Sequence, residues 1–195
     1  MAMGRPRAFD TETAVEAAMD VFWRLGYEGA SMAELTRAMG INAPSLYATF
    51  GSKEGLFRTA LEHYEKVRLE FLQTISVTPT ARAAAEILLC ESANRFNSPG
   101  RPKGCLFVQG GLAVGTAHEH IAQILASRRR DVEALMRERF ERAQAEGDLP
   151  VSASPEDLAR FMAMVTDGMA VQSATGATRE QLLTLAQMAL RLFPT

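Results

Sequence analysis

Apolar residues recur at helical spacing along almost the whole of this 195-residue chain. Val15, Ala18, Phe22 and Leu25 follow i, i+3, i+7, i+10, one face of a helix. Asp10 or Thr11 can cap its start, and Gly26 can end it. Ser31 and Glu34 have capping-box spacing ahead of the inward-facing Leu35 and Met39, and Gly40 supplies a stop. Asn42 caps a third short helix that tolerates Pro44 in its first turn, with Leu46 and Phe50 turned inward. Gly51-Ser52 interrupts again, and Ser52 opens a longer helix through about Thr74.

Beyond a loop at 77–80, a helix from about Ala81 to Asn97 carries Ile87, Leu88 and a core Cys90. The Ser98-Pro-Gly-Arg-Pro102 break precedes a short neutral helix, roughly Lys103 to Thr116. A long charged helix from about His118 to Glu146 then turns Ile121, Ile124, Leu125, Val132, Leu135, Met136 and Phe140 inward. Ser154-Pro155 starts the next helix, with Leu158, Phe161, Met162 and Val165 on one face. Thr178 and Gln181 form another capping box before a last helix that buries Leu182, Leu185, Ala186, Ala189 and Leu192. No stretch alternates as a strand does. The pattern predicts an all-α fold of about nine helices, divided into residues 1–52 and 53–195.

Composition changes this picture little. Hydrophobic residues make up 47% and charged residues 23%, as in an ordinary globular protein. Two cysteines are too few for a disulfide scaffold. Residues 1–10 carry Arg5 and Arg7 but no apolar stretch of a signal peptide. The uncharged run from Gly104 to Ala117 is too short to span a membrane. The expectation is a soluble cytoplasmic protein with no membrane partner.

The first three helices are more specific. Helix, glycine turn, helix within about twenty residues outlines a helix-turn-helix, whose second helix enters the major groove. That helix lies in a stretch, Ala38 to Ser52, without a single charge. Small residues Ala43 and Ser45 permit close approach to bases, and Ala43 or the Thr49 methyl can touch a thymine methyl. The net charge of −2 gives no support to nucleic-acid binding, and residues 1–60 hold six basic and seven acidic side chains. Position can outweigh the sum, because salt limits each charge to about 8–10 Å. Arg5, Arg7, Arg37 and Lys53 would flank the groove-facing surface. Gly4-Arg5-Pro6-Arg7 reads equally as a minor-groove arm or as a tail with two incidental arginines. A lysine at a helix N-terminus opposes the dipole, so an anion beside Lys53 would account for it.

Phe22-x3-Gly26-Tyr27, Ser31-Met-Ala-Glu-Leu35, Gly40-Ile41-Asn42 and Leu46-Tyr47-x2-Phe50-x2-Lys53-x2-Leu56 together resemble the DNA-binding domain of the TetR/AcrR family. The resemblance covers about Thr11 to Leu61. Thr36 departs from it, standing where alanine is commoner. It implies a homodimeric transcription regulator, most often a repressor, that binds a palindromic operator and is released by a small effector held in a C-terminal dimerisation domain. It further implies that Ser31 and Lys53 bind phosphate, that Tyr47 contacts the backbone, and that Ala43, Pro44 and Ser45 face the bases. Asn42 joins them as a candidate base contact.

The C-terminal part carries weaker signals. Methionine and phenylalanine could line an adaptable effector cavity or be plain core. Candidate wall groups are Asn94, Cys105, Gln109, His118, Asp167 and Gln172. Small residues Gly168, Ala170, Ser173 and Ala174, with apolar Leu182, Leu185, Ala189 and Leu192, suggest a dimer bundle or burial within the chain. Cys105 follows Lys103 and Gly104, which could favour a thiolate that senses electrophiles or oxidants; the alternative is a buried small hydrophobe. His118 and His120 would point apart on one helix, and no metal, cofactor or catalytic motif stands out, so the chain reads as a non-enzyme. A helical protein-interaction module is the other reading.

Overall fold

The computed structural model describes residues 10–112 and 114–194. Arg5 and Arg7 lie outside them. The described residues form nine α-helices and one 3-10 turn, with no strand. They divide into two compact units, one ending at Lys66 and the other beginning at Val67.

In the first unit α1 (Thr11–Gly29) is capped by Asp10, whose carboxylate accepts from the Glu12 amide at 3.0 Å. Its inward face is Ala14, Val15, Ala18, Met19, Phe22, Trp23 and Tyr27. Leu25, expected inward, is 45% exposed. Gly26, at φ 70°, kinks the helix rather than ending it, and Tyr27 takes the buried place. A left-handed φ of this kind is open to glycine at little cost. The short α2 (Met32–Met39) and α3 (Ala43–Phe50) bury Leu35, Met39 and Leu46. Next comes α4 (Lys53–Val77), 25 residues without interruption.

The division between the two compact units falls within α4, after Lys66. The reason is aromatic packing. Phe57 on α4 meets the Phe22 ring edge-on at 4.9 Å and the Tyr27 ring at 5.1 Å, and Tyr64 meets Trp23 at 5.0 Å. Such pairs add about 0.5–1.5 kcal/mol each beyond burial. They tie the first half of α4 to α1.

The second unit holds α5 (Ala81–Phe96), α6 (Leu106–Leu112), the 3-10 turn (Thr116–His118), α7 (Glu119–Ala145), α8 (Pro155–Ala174) and α9 (Arg179–Arg191). Thr80, Ser154 and Thr178 cap α5, α8 and α9 through their side chains. The expected helix over 103–116 is only seven residues, because Gly104 sits at φ 82° just ahead of it. A Cβ there would lie 2.6 Å from the Ala170 carbonyl oxygen. Gly104 thus admits a close backbone approach between the loop before α6 and α8. On α7, Ile121, Leu125, Met136 and Phe140 are buried as expected, while Ile124, Val132 and Leu135 are half-buried. Arg139 joins the buried face with 2% exposure. Among the described residues, no helix is long and apolar enough to cross a membrane.

Candidate nucleic-acid interface

Two caps and two glycines set α3 in its place. Ser31 accepts the Glu34 amide at 3.2 Å, and the Glu34 carboxylate accepts from the Ser31 amide at 3.0 Å and the Ser31 hydroxyl at 2.7 Å. These bonds hold the Glu34 carboxyl below its usual range. Gly40, at φ 66°, makes the turn out of α2. Asn42 Oδ1 then accepts the Ser45 amide at 2.8 Å and starts α3. Gly51, at φ 75°, closes it, with its amide on the Tyr47 carbonyl at 2.9 Å. Capping of this kind contributes about 1 kcal/mol per helix end.

On α3, Asn42, Ala43, Pro44, Tyr47, Ala48 and Thr49 are exposed and Ser45 is half-buried. Leu46 is fully buried; Phe50, expected beside it in the core, is half-buried. Tyr47 leaves half of its surface open. Arg37 is exposed in the last turn of α2. Ser31 already gives its hydroxyl hydrogen to Glu34, so a phosphate at this end of α2 would have to compete for it.

Lys53 is not a freely solvated charge. Its ammonium lies 4.7 Å from the centre of the Tyr27 ring and donates to the Glu28 carbonyl at 3.5 Å. Partial burial lowers its pKa, and Glu28 offsets part of that shift. The Tyr27 phenol is pushed up by burial and by Glu54. The cation is therefore oriented at the first turn of α4, with its ammonium over an aromatic face.

In the second unit the expected pocket residues have varied partners. Asn94 accepts from Arg179 Nε at 2.6 Å and donates to Glu91, joining α5 to α9. Cys105 is buried directly before α6. Cys90, expected in the core, is half-buried, its thiol pushed up by burial and by Glu86 and Glu91. Gln109 lies against Gly104. His118 belongs to the 3-10 turn ahead of α7 and not to the same helix as His120, so the two rings come within 6.3 Å. Asp167 stands 3.7 Å from Arg129, and burial raises its pKa against the pull of Arg129 and Arg68. Gln172 opens outward onto α8 and α9.

Those two helices enclose a groove of about 540 Å³ lined by Phe161, Val165, Gly168, Leu185, Met188 and Leu192. Leu192 is 73% and Met188 55% exposed. Ser173 and Leu182 do not belong to this face: both are buried in their own chain, and the Ser173 hydroxyl donates to the Phe96 carbonyl at 2.7 Å. Ala189 lines the groove with little surface of its own.

The profile of the bacterial regulatory proteins of the tetR family matches residues 14–60, and that of the tetracyclin repressor-like C-terminal domain matches residues 87–188. The chain belongs to the TetR family. It is a DNA-binding transcriptional regulator. The HTH-type transcriptional repressor ComR of Escherichia coli is 34% identical over 193 residues, 98% of this chain and 92% of ComR. The repressor BdcR of the same organism is 33% identical, over 95% of this chain and 90% of BdcR. Among solved structures, a cysteine mutant of the TetR family regulator CifR, complexed with 26-bp double-strand operator DNA, has 46% identity and a TM-score of 0.93, covering 97% of this chain and all of that one.

Three further residues of this TetR-family chain shape the two regions and escape a reading of the sequence. Gly55 lets the first turn of α4 approach the end of α3, where a Cβ would overlap the Phe50 carbonyl oxygen. Its position in the third place of a helix gives no local sign of that need. Arg68, only 8% exposed, stacks 4.6 Å from the centre of the Phe107 ring and donates to the Arg128 carbonyl at 3.1 Å. Arg129 donates to the Phe107 carbonyl at 2.7 Å. The two arginines gather around Phe107 from positions more than twenty residues away, which no spacing rule reports.

Proposed function

We propose that this protein acts as a homodimeric repressor. Its α3 helices occupy successive major grooves of a palindromic operator, and a small effector bound in the C-terminal unit releases it. The observation that carries the reading is the tip of α3. Ala43, Pro44 and Ser45 are small and uncharged, the first two exposed and Ser45 half-buried, and the Asn42 cap holds them. Tyr47 and Lys53 flank that tip for the backbone, and Ser31 and Arg37 stand on the neighbouring α2. On this reading Arg5 and Arg7, which lie outside the described residues, would add two cations for phosphate.

Two half-sites one turn apart lie roughly 34–36 Å from each other, a span that one copy of so short a helix cannot cover. The exposed apolar groove of α8 and α9, with Gly168, Leu185 and Leu192, offers the surface for a second copy. The effector would be held near Cys105, Gln109, His118 and Asp167, with Asn94 and Gln172 at the margins. Because α4 runs without a break from one unit into the other, its displacement would alter the separation of the reading helices. A coupling of about 1–3 kcal/mol gives a 5–150-fold change in operator affinity. The reading assigns no catalytic step to the chain and places it in the cytoplasm, with its operator.

Footprinting on its operator tests the assignment. Tyr47→Ala is expected to weaken protection by about tenfold with the fold intact, as befits the loss of a contact of about 1.4 kcal/mol. Undiminished protection by this variant would overturn the motif assignment.

A further inference from the structure

We infer that α3 reads its operator half-site through the 5-methyl groups of thymines and makes no bidentate contact to a purine. The inference rests on the DNA-binding reading and deepens it.

The major groove offers two kinds of handle. Purine edges present paired hydrogen-bonding groups that Arg, Lys, Asn or Gln grip with two atoms at once, and thymine presents a methyl group. α3 has no arginine, lysine or glutamine. Its one candidate for a bidentate grip on adenine is Asn42 at the cap. A bidentate grip needs the carboxamide oxygen as acceptor and the nitrogen as donor together. That oxygen is pointed back into the helix, accepting the Ser45 amide at 2.8 Å. Turning it toward a base would leave the first turn of α3 uncapped. Thr49 is committed in the same way, its hydroxyl donating to the Ser45 carbonyl at 2.9 Å.

What remains outward is mostly hydrocarbon. Pro44 and Ala48 are four residues apart, so they lie on one stripe, opposite the buried Leu46, and both are exposed. Ala43 adds a methyl beside Pro44. The hydroxyls of Ser45 and Tyr47 flank this stripe. A solvent-exposed ring and two methyls at the tip of a groove-entering helix gain from burial against other hydrocarbon, and in the major groove that hydrocarbon is the thymine methyl.

The test begins with the full-length protein and a random-sequence DNA pool, from which bound duplexes are enriched. In the enriched operator each thymine of one half-site is then replaced singly by deoxyuridine, which removes only the methyl. Each guanine is separately replaced by 7-deazaguanine, which removes the N7 acceptor. At least one deoxyuridine is expected to weaken binding roughly fourfold, the effect of uncovering one methyl. In Pro44→Ala that same replacement is expected to cost clearly less, because its partner has been trimmed. If no deoxyuridine weakens binding, or if the penalty is unchanged in Pro44→Ala at every thymine, the inference is overturned while the DNA-binding reading stands. A loss of about tenfold or more at a 7-deazaguanine that Ser45→Ala abolishes also overturns it, since α3 would then be reading a purine edge. Failure to enrich any sequence would overturn the DNA-binding reading itself, and the inference with it.

Discussion

Arg139 donates from Nε to the carbonyl oxygen of Thr78 at 2.9 Å, just past the last turn of α4. Three residues on, Arg142 donates to the Ser76 carbonyl at 2.6 Å. Two cations thus close the C-terminal end of α4, where the helix dipole is negative and backbone carbonyls lack partners. The other two guanidinium nitrogens of Arg139 are buried and meet no acceptor among the described residues. Removing the charge while keeping the volume relieves that desolvation. Arg139→Met should therefore lie within about 1 kcal/mol of the parent in urea unfolding, whereas Arg139→Ala, which also opens a cavity, should cost about 2–4 kcal/mol. Equal losses in both would mean that the charge, not the packing, is what α7 supplies.

Gly55→Ala should cost roughly 1–3 kcal/mol, the usual range for overpacking. The added Cβ meets a backbone oxygen, that of Phe50, which cannot swing aside as a side chain would. The shift falls on the end of α3, so operator affinity should drop by more than the loss of stability alone explains. Comparison of urea midpoints with operator titrations at a temperature where the variant is fully folded checks this.

Leu192→Glu places a charge where the leucine is 73% exposed, so the helix content of the single chain should not change. A carboxylate within an apolar face between two copies is left without a partner. Sedimentation should then show monomers at concentrations where the parent is a dimer, and operator affinity should fall by at least about tenfold. A variant that remains dimeric would move the interface away from α8 and α9.

Asp167 yields a prediction in pH. Burial, the largest influence, raises its pKa above the ordinary 3.8, and Arg129 and Arg68 only partly counter it. The folded state therefore keeps this proton to higher pH than the unfolded state does. Stability from this group is present at low pH and declines as pH rises through the window that opens near 3.8. Asp167→Asn removes that decline. Thermal unfolding across a pH series should show the variant gaining on the parent as pH rises from this value, and parallel curves would contradict the assignment.

The short-range chemistry of this fold was written plainly in the chain. Ser31 with Glu34, Asn42, and Thr178 with Gln181 cap where their spacing says, because each cap is a contact between residues three apart. Gly40 stops α2 because a left-handed φ needs a residue without a Cβ at that point. Periodicity was a weaker guide to which face is buried. Leu25 fits the apolar stripe of α1, yet the Gly26 kink hands its place to Tyr27, whose partner Phe57 is thirty residues away. Arg139 sits at an inward position that a count of apolar residues gives to solvent, because the carbonyl it serves lies 61 residues earlier. The candidate interface on α2 and α3 was legible for the same reason as the caps: all its parts lie within about twenty consecutive residues. The C-terminal candidates were not, since Asp167 has meaning only beside Arg129, and Arg68 only over Phe107.

The closed end of α4 has a mechanical consequence. At 1.5 Å per residue its 25 residues make a rod of about 37 Å. Arg139 and Arg142 pin one end of that rod by its backbone, and Lys53 begins the other. A rod of this length hinged at the pinned end moves its far tip by about 3 Å for every 5° of tilt. That is close to the spacing of successive base pairs. Under the proposed function, a tilt of a few degrees at the pinned end would be enough to shift the first turn of α4, and α3 beside it, by about one base-pair step.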